Sequence, residues 1–150
     1  MSGLKDLYQE VIFDHNRNPR HHQKLGDANR QAQGFNPLCG DKVTLYLKVD
    51  QNGVIRDVGF DGAGCAISVA SASLMSEALI GKKESEAEAL FKEFRDMLMG
   101  PAHPTSLGKL EALSGVKEFP SRIKCATLAW HALHAALKGQ KGAVSTEEEP

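Results

Sequence analysis

The sequence predicts an α+β fold, a small antiparallel sheet of about three strands with helices packed on one side. Two patterns carry this. Val43, Leu45, Leu47 and Val49 alternate with Thr44, Tyr46, Lys48 and Asp50, and the period changes to helical on either side of that stretch. With 150 residues, 41% of them hydrophobic, the chain has enough apolar surface for one core. Residues 1–138 are read as the domain. Residues 139–150, with Glu147, Glu148 and Glu149, form an acidic tail with little to bury and are expected to be disordered.

Leu4, Leu7, Tyr8, Val11 and Ile12 share one helix face, and Asn18-Pro19 stops that helix. A polar loop is expected as far as Pro37. The alternating strand follows, and Asn52-Gly53 turns the chain into a second strand through Ile55, Val58 and Phe60. Periodicity does not locate the third strand. From Cys65 a helix carries Ile67, Ala70, Leu74 and Ala78 on one face. Gly81 is its C-terminal cap, and its Ala/Ser-rich first half permits close approach of neighbours. Ser85 with Glu88 reads as a capping box for a helix through Leu90, Phe91, Phe94, Met97 and Leu98, ended by Gly100-Pro101. A short helical turn is expected through Leu107, Leu110 and Leu113. Pro120-Ser121 opens the last helix, with Ile123, Ala126, Trp130, Leu133 and Leu137 as its stripe.

A formal net charge of −1 supplies no global field for nucleic acid or an anionic membrane. The basic run Arg17, Arg20, His21, His22, Lys24 and Arg30 is either a solvated loop or a docking patch for an acidic partner. The first residues lack a secretory pattern, and no apolar run reaches the roughly 18 residues of a membrane span. A cytoplasmic protein with reduced thiols is the expectation.

Cys39, Cys65 and Cys125 each stand at a loop-to-element junction. Cys39 lies between Pro37 and Gly40. Cys65 follows Gly62-Ala63-Gly64 at a helix start, and Cys125 lies near the first turn of its helix, where the helix dipole favours thiolate. Taken singly, a helix cysteine more often packs than reacts, and Asp41 serves equally to turn the chain into its strand. The spacing is not that of a CxxC pair. If Cys39, Asp41, Cys65 and Cys125 converge, they make a closed tetrahedron of three sulfurs and one oxygen, which fits zinc at about 2.3 Å for Zn–S and about 2.0–2.2 Å for Zn–O. Such a site carries two excess negative charges. Arg122, one turn before Cys125, is the cation placed to offset them, although it also reads as an ordinary surface residue. His21, His22, His131 and His134 are not expected to ligate.

The segments Asn36-Pro37-Leu38-Cys39-Gly40-Asp41 and Gly64-Cys65-Ala66-Ile67-Ser68 resemble the two signature segments of the U-type iron-sulfur assembly family, which comprises IscU, the N-terminal part of NifU, and SufU. The resemblance covers nearly all of residues 3–138. It implies Cys39, Asp41, Cys65 and Cys125 as metal ligands. Lys124 stands where IscU proteins carry histidine, and their Leu-Pro-Pro-Val-Lys chaperone segment is absent, the corresponding stretch reading Glu118-Phe119-Pro120-Ser121-Arg122-Ile123-Lys124. The segment from Lys82 to Gly115 looks like the insertion of the SufU branch.

That branch implies a zinc-dependent sulfur acceptor that works with a SufS-type cysteine desulfurase and passes sulfur to a downstream iron-sulfur assembly complex. Cys39, on the loop, would be the acceptor, released from zinc when a desulfurase histidine displaces it. Three rivals remain open from sequence. The same four residues suit a [2Fe-2S] scaffold. Gly62-Ala63-Gly64-Cys65-Ala66 has the form of a nucleophile elbow, for which a cysteine hydrolase would need a histidine base. A purely structural zinc domain is the third.

Overall fold

The computed structural model describes residues 3–37, 40–99, 107–139 and 143–145. Its elements are α1 (Gly3–Arg17), β1 (Arg30–Asn36), β2 (Asp41–Val49), β3 (Ile55–Ala63), α2 (Ala66–Leu79), α3 (Glu84–Met99), a 3-10 helix (Gly108–Glu118), α4 (Pro120–Leu137) and β4 (Ala143–Ser145). The sheet order is β3-β2-β1-β4; the first three strands are antiparallel, and β4 adds parallel to β1. The α+β class and the three-stranded antiparallel core match the sequence expectation. β4 lies inside the stretch expected to be a disordered tail, while residues 140–142 and 146–150 fall outside the described part.

On β2, Val43, Leu45, Leu47 and Val49 are buried, and Thr44, Tyr46 and Lys48 are half-buried on the opposite face. The β2–β3 turn is held by one carboxylate. Asp50 accepts the N–H groups of Asn52 and Val54 and pairs with Arg56 Nε at 2.7 Å.

β1 is the strand that periodicity could not find, and it occupies the expected polar loop. Its buried positions are Ala32, Gly34 and Asn36, so burial alternates without a hydrophobic alternation. The small residues have a cause in α4. A Cβ on Gly34 would lie 3.0 Å from Leu128 Cδ1 and 3.2 Å from the Leu128 carbonyl oxygen, so a side chain here would press on α4, and glycine allows the close strand-helix approach without displacement.

α4 packs against β1, β2, α2, α3 and the 3-10 helix. Six consecutive residues, Cys125 to Trp130, are buried, which a helix with a single apolar stripe cannot show. Its stripe is therefore broader than sequence indicated. The Ser-rich face of α2 makes this possible: Ser71 Oγ donates to the Ala126 carbonyl and accepts from Trp130 Nε1 at 3.2 Å. Trp130 in turn stacks on Phe94 of α3 at 4.5 Å.

Two local expectations are corrected. α3 begins at Glu84, and it is Glu86 that reaches back to the Lys83 N–H at 2.8 Å; Glu88 pairs instead with His134 Nδ1 at 2.9 Å. The expected Ser85–Glu88 capping box is thus displaced. The short turn through Leu107 is a longer 3-10 segment, in which Leu107, Leu110, Leu113 and Val116 recur every third residue and are all buried, as a three-residue turn requires. Gly81, with φ of 90°, follows α2 as anticipated, whereas Gly100-Pro101 lies outside the described residues.

Candidate metal centre

Three elements deliver the site. Asp41 is the first residue of β2, opposite Asn36 in the β1–β2 register. Cys65 is the N-cap of α2, and Cys125 lies in the second turn of α4. β3 leads to Cys65 through Gly62, whose φ of 133° and contact with the Lys42 carbonyl oxygen leave no room for a side chain. The ligand atoms of Asp41, Cys65 and Cys125 all lie within 4.8 Å of one another, an arrangement able to hold a metal ion. Cys39 lies outside the described residues, so its place relative to this group is not given.

The cluster is graded in depth. Asp41 is 2% exposed and Cys125 is fully buried, while Cys65 is half-buried. Asp41 is held by three donors. Its Oδ1 accepts the Cys65 N–H at 2.9 Å, an orphan donor of the α2 N-terminus. Its Oδ2 accepts Ser68 Oγ at 2.8 Å and Asn36 Nδ2 at 3.3 Å. Cys125 Sγ lies 3.6 Å from the same Asn36 nitrogen.

The exposed Arg122 side chain reaches both thiols. The charge that Cys65 develops, followed by the hydrogen bond to Cys125 Sγ, pushes the guanidinium pKa above its ordinary value. Two thiols, a carboxylate and a guanidinium therefore make a soft pocket that becomes anionic when the thiols ionise, with Arg122 on its rim. Phe119, the N-cap of α4 one turn before Arg122, is 59% exposed at the same helix end.

Sequence reasoning named Asp41, Cys65, Cys125 and Arg122, and the fold brings these four together. It missed Asn36, Ser68 and Gly64. Asn36 was read as part of a loop and Ser68 as a small helix-face residue. A Cβ on Gly64 would stand 3.2 Å from Asp41 Oδ1. Their signal was adjacency to the cysteine and aspartate motifs, which does not reveal burial.

The histidines lie elsewhere among the described residues. His15 bonds Ser73, His21 bonds Ser76, His22 stacks on Phe60, and His131 and His134 lie against Phe91. The base that a Cys65 hydrolase needs is therefore not found among them. The basic run is also largely engaged: Arg20 pairs with Asp14 at 2.6 Å and Arg30 with Glu84 at 2.9 Å.

Residues 7–145 match the model of the NifU-like N-terminal domain. The chain belongs to this family. Its relatives carry two kinds of name. A protein of Streptococcus pyogenes called iron-sulfur cluster assembly scaffold protein IscU is 46% identical over 92% of this chain and 87% of its own length. The zinc-dependent sulfurtransferase SufU of Bacillus subtilis is 43% identical over 94% of this chain and 96% of its own. A solved structure from Fervidobacterium islandicum, described as a candidate iron-sulfur cluster assembly scaffold protein for the SUF system, superposes with a TM-score of 0.82 at 38% identity, covering 90% of this chain and 99% of that one. No helix among the described residues is long and apolar enough to cross a membrane.

Proposed function

We propose that this protein serves iron-sulfur cluster assembly as a zinc-dependent sulfur acceptor, with Cys39, Asp41, Cys65 and Cys125 as the metal ligands and a SufS-type cysteine desulfurase as its partner. The observation that carries the reading is the convergence of Asp41, Cys65 and Cys125 within 4.8 Å beside Arg122. The donor set fits zinc, since soft thiolates and one carboxylate satisfy a tetrahedral dication, and the rim cation offsets part of the excess negative charge. Zinc, when bound, keeps the thiolates deprotonated at neutral pH.

The chain's own residues then divide the work. Asp41 and Cys125 are buried and hydrogen-bonded, so they hold; Cys65 is half-buried. Cys39, on the Pro37–Gly40 loop, is assigned as the acceptor. Its thiolate attacks the terminal sulfur of the desulfurase persulfide, the S–S bond breaks, and the desulfurase cysteine leaves as thiolate, so that Cys39 becomes the persulfide. Sulfur moves onward to a downstream iron-sulfur assembly complex by the same exchange. A second reading, a scaffold on which a [2Fe-2S] cluster is built, uses the same residues and has the relatives named IscU in its favour.

The test is mass spectrometry after incubation with a SufS-type desulfurase and cysteine, beside metal analysis of the purified protein. A colourless protein with one zinc and one added sulfur on the Cys39 peptide is expected. Cys39→Ser should lose the added sulfur and the stimulation of the desulfurase while remaining folded. Sulfur found only on Cys65, or full stimulation by Cys39→Ser, overturns the acceptor assignment. A brown protein with paired iron and sulfide selects the scaffold.

A further inference from the structure

Asn36 ends β1 fully buried, and its single amide nitrogen faces two of the three converging groups, Asp41 Oδ2 at 3.3 Å and Cys125 Sγ at 3.6 Å. An amide NH2 has two hydrogens, so one can go to each acceptor. The strand register enforces the juxtaposition, because Asn36 and Asp41 are the cross-strand partners next to the connection that closes the β1–β2 hairpin. Ser68, one turn into α2, adds its hydroxyl to the same carboxylate oxygen at 2.8 Å.

The donors leave the two carboxylate oxygens unequal. Oδ2 receives Asn36 and Ser68, which fills its two lone-pair directions; Oδ1 receives, among the described residues, the Cys65 N–H alone. Space follows the same asymmetry. Gly64 has no Cβ to stand beside Oδ1, where one would lie at 3.2 Å.

We infer that Asn36 is a positioning residue of the metal centre: by donating to both Asp41 and Cys125 it clamps these two as the fixed half of the site and presents Oδ1 of Asp41, as a one-oxygen ligand, to the metal. The inference rests on the reading of this cluster as the zinc site. It also states which ligands do not exchange. An N–H···S hydrogen bond draws charge from the Cys125 sulfur and ties its direction, whereas Cys65, half-buried and 3.8 Å from Ser68 Oγ, is held less firmly.

The experiment compares wild type with Asn36→Leu, which keeps the branching at Cγ, with larger methyl groups, and removes both donors. Zinc affinity is read by competition with a chromophoric chelator, and ligand geometry by the absorption bands of the cobalt(II)-loaded protein. Asn36→Leu should bind zinc about 10–100-fold more weakly and show shifted cobalt bands, with far-UV circular dichroism like that of wild type. A second measurement uses wild type alone and so does not depend on the variant folding. In protein loaded with cadmium-113, the two Asn36 side-chain NH2 protons should be shifted and protected from exchange, and the one donated to Cys125 Sγ should show scalar coupling to the metal through that sulfur. Unchanged affinity and cobalt bands in Asn36→Leu, or Asn36 NH2 protons that exchange as freely as those of a solvated amide in the loaded protein, overturn the inference while the metal site stands. Wild type that binds neither zinc nor cobalt through sulfur overturns the metal reading itself.

Discussion

At the scale of the residue, the site is a matter of charge. Two thiols and a carboxylate gather where β2, α2 and α4 meet, and Arg122 is the cation at the rim whose pKa they raise, Cys65 by its charge first and Cys125 next. The Arg122 side chain is exposed, so its effect is screened by salt in a way that the buried Asn36 amide is not. Arg122→Ala should therefore leave the fold intact and weaken zinc binding by about tenfold at low ionic strength. The difference from wild type should shrink between about 0.01 M and about 1 M salt, as the Debye length falls from about 30 Å to about 3 Å. Chelator competition at the two salt concentrations measures this; a salt-independent loss would mean that Arg122 acts by packing or geometry. Cys65, Cys125, Asp41 and Arg122 were legible because thiols at loop-to-element boundaries, with a carboxylate and a cation close by, are chemically unusual. Asn36 and Ser68 were not, because a polar residue announces its role only when burial and partners are known.

At the scale of the element, β1 was harder to read than β2 and β3. β2 shows its period because its inward residues from Val43 to Val49 are branched and apolar, whereas β1 buries Ala32, Gly34 and Asn36, with α4 close against Gly34. α1 is tied to α2 by a polar seam. His15 is 1% exposed, its Nδ1 lies 2.7 Å from Ser73 Oγ, and that oxygen also accepts the Arg20 N–H at 2.8 Å. Nε2 of His15 has no hydrogen-bond partner among the described residues, and Glu77 is 3.5 Å away. Burial lowers the His15 pKa; Arg20 and the more distant Lys109 act in the same direction, and Glu77 and Asp14 oppose them. A lowered folded-state value means that the unfolded chain takes up the proton first. The stability contributed by neutral His15 is complete above the ordinary value of 6.5 and declines as pH falls from there through the folded-state value. Urea midpoints measured from about pH 8 to about pH 5 should fall more steeply for wild type than for His15→Gln, which has no proton to gain in this range. Parallel curves would assign the acid sensitivity to other groups.

At the scale of the whole molecule, the question is whether the metal makes the fold or the fold makes the site. The hydrophobic core runs without interruption from β2 and β3 through α2, α3 and the 3-10 helix to α4, with Leu45, Leu47, Ile55, Phe94, Leu128 and Trp130 all under 2% exposed. Asp41, Cys65 and Cys125 lie at one end of that core, each on an element anchored by contacts of its own. A domain that depends on zinc for structure would unfold when the ion is removed. Here chelation should leave the far-UV circular dichroism and a cooperative thermal transition in place. Zinc bound as proposed would link the ends of β2, α2 and α4, and binding to the folded protein alone would raise stability by mass action. Free zinc at about 100 times its dissociation constant adds about 2.7 kcal/mol, which in a domain of this size raises Tm by roughly 5–10 °C. Scanning calorimetry of the chelated and zinc-loaded protein should show two cooperative transitions separated by about that interval, with Cys125→Ser close to the chelated protein whether or not zinc is present. Loss of the transition on chelation would identify a structural zinc domain and remove the ground for treating Cys39 as an exchangeable ligand.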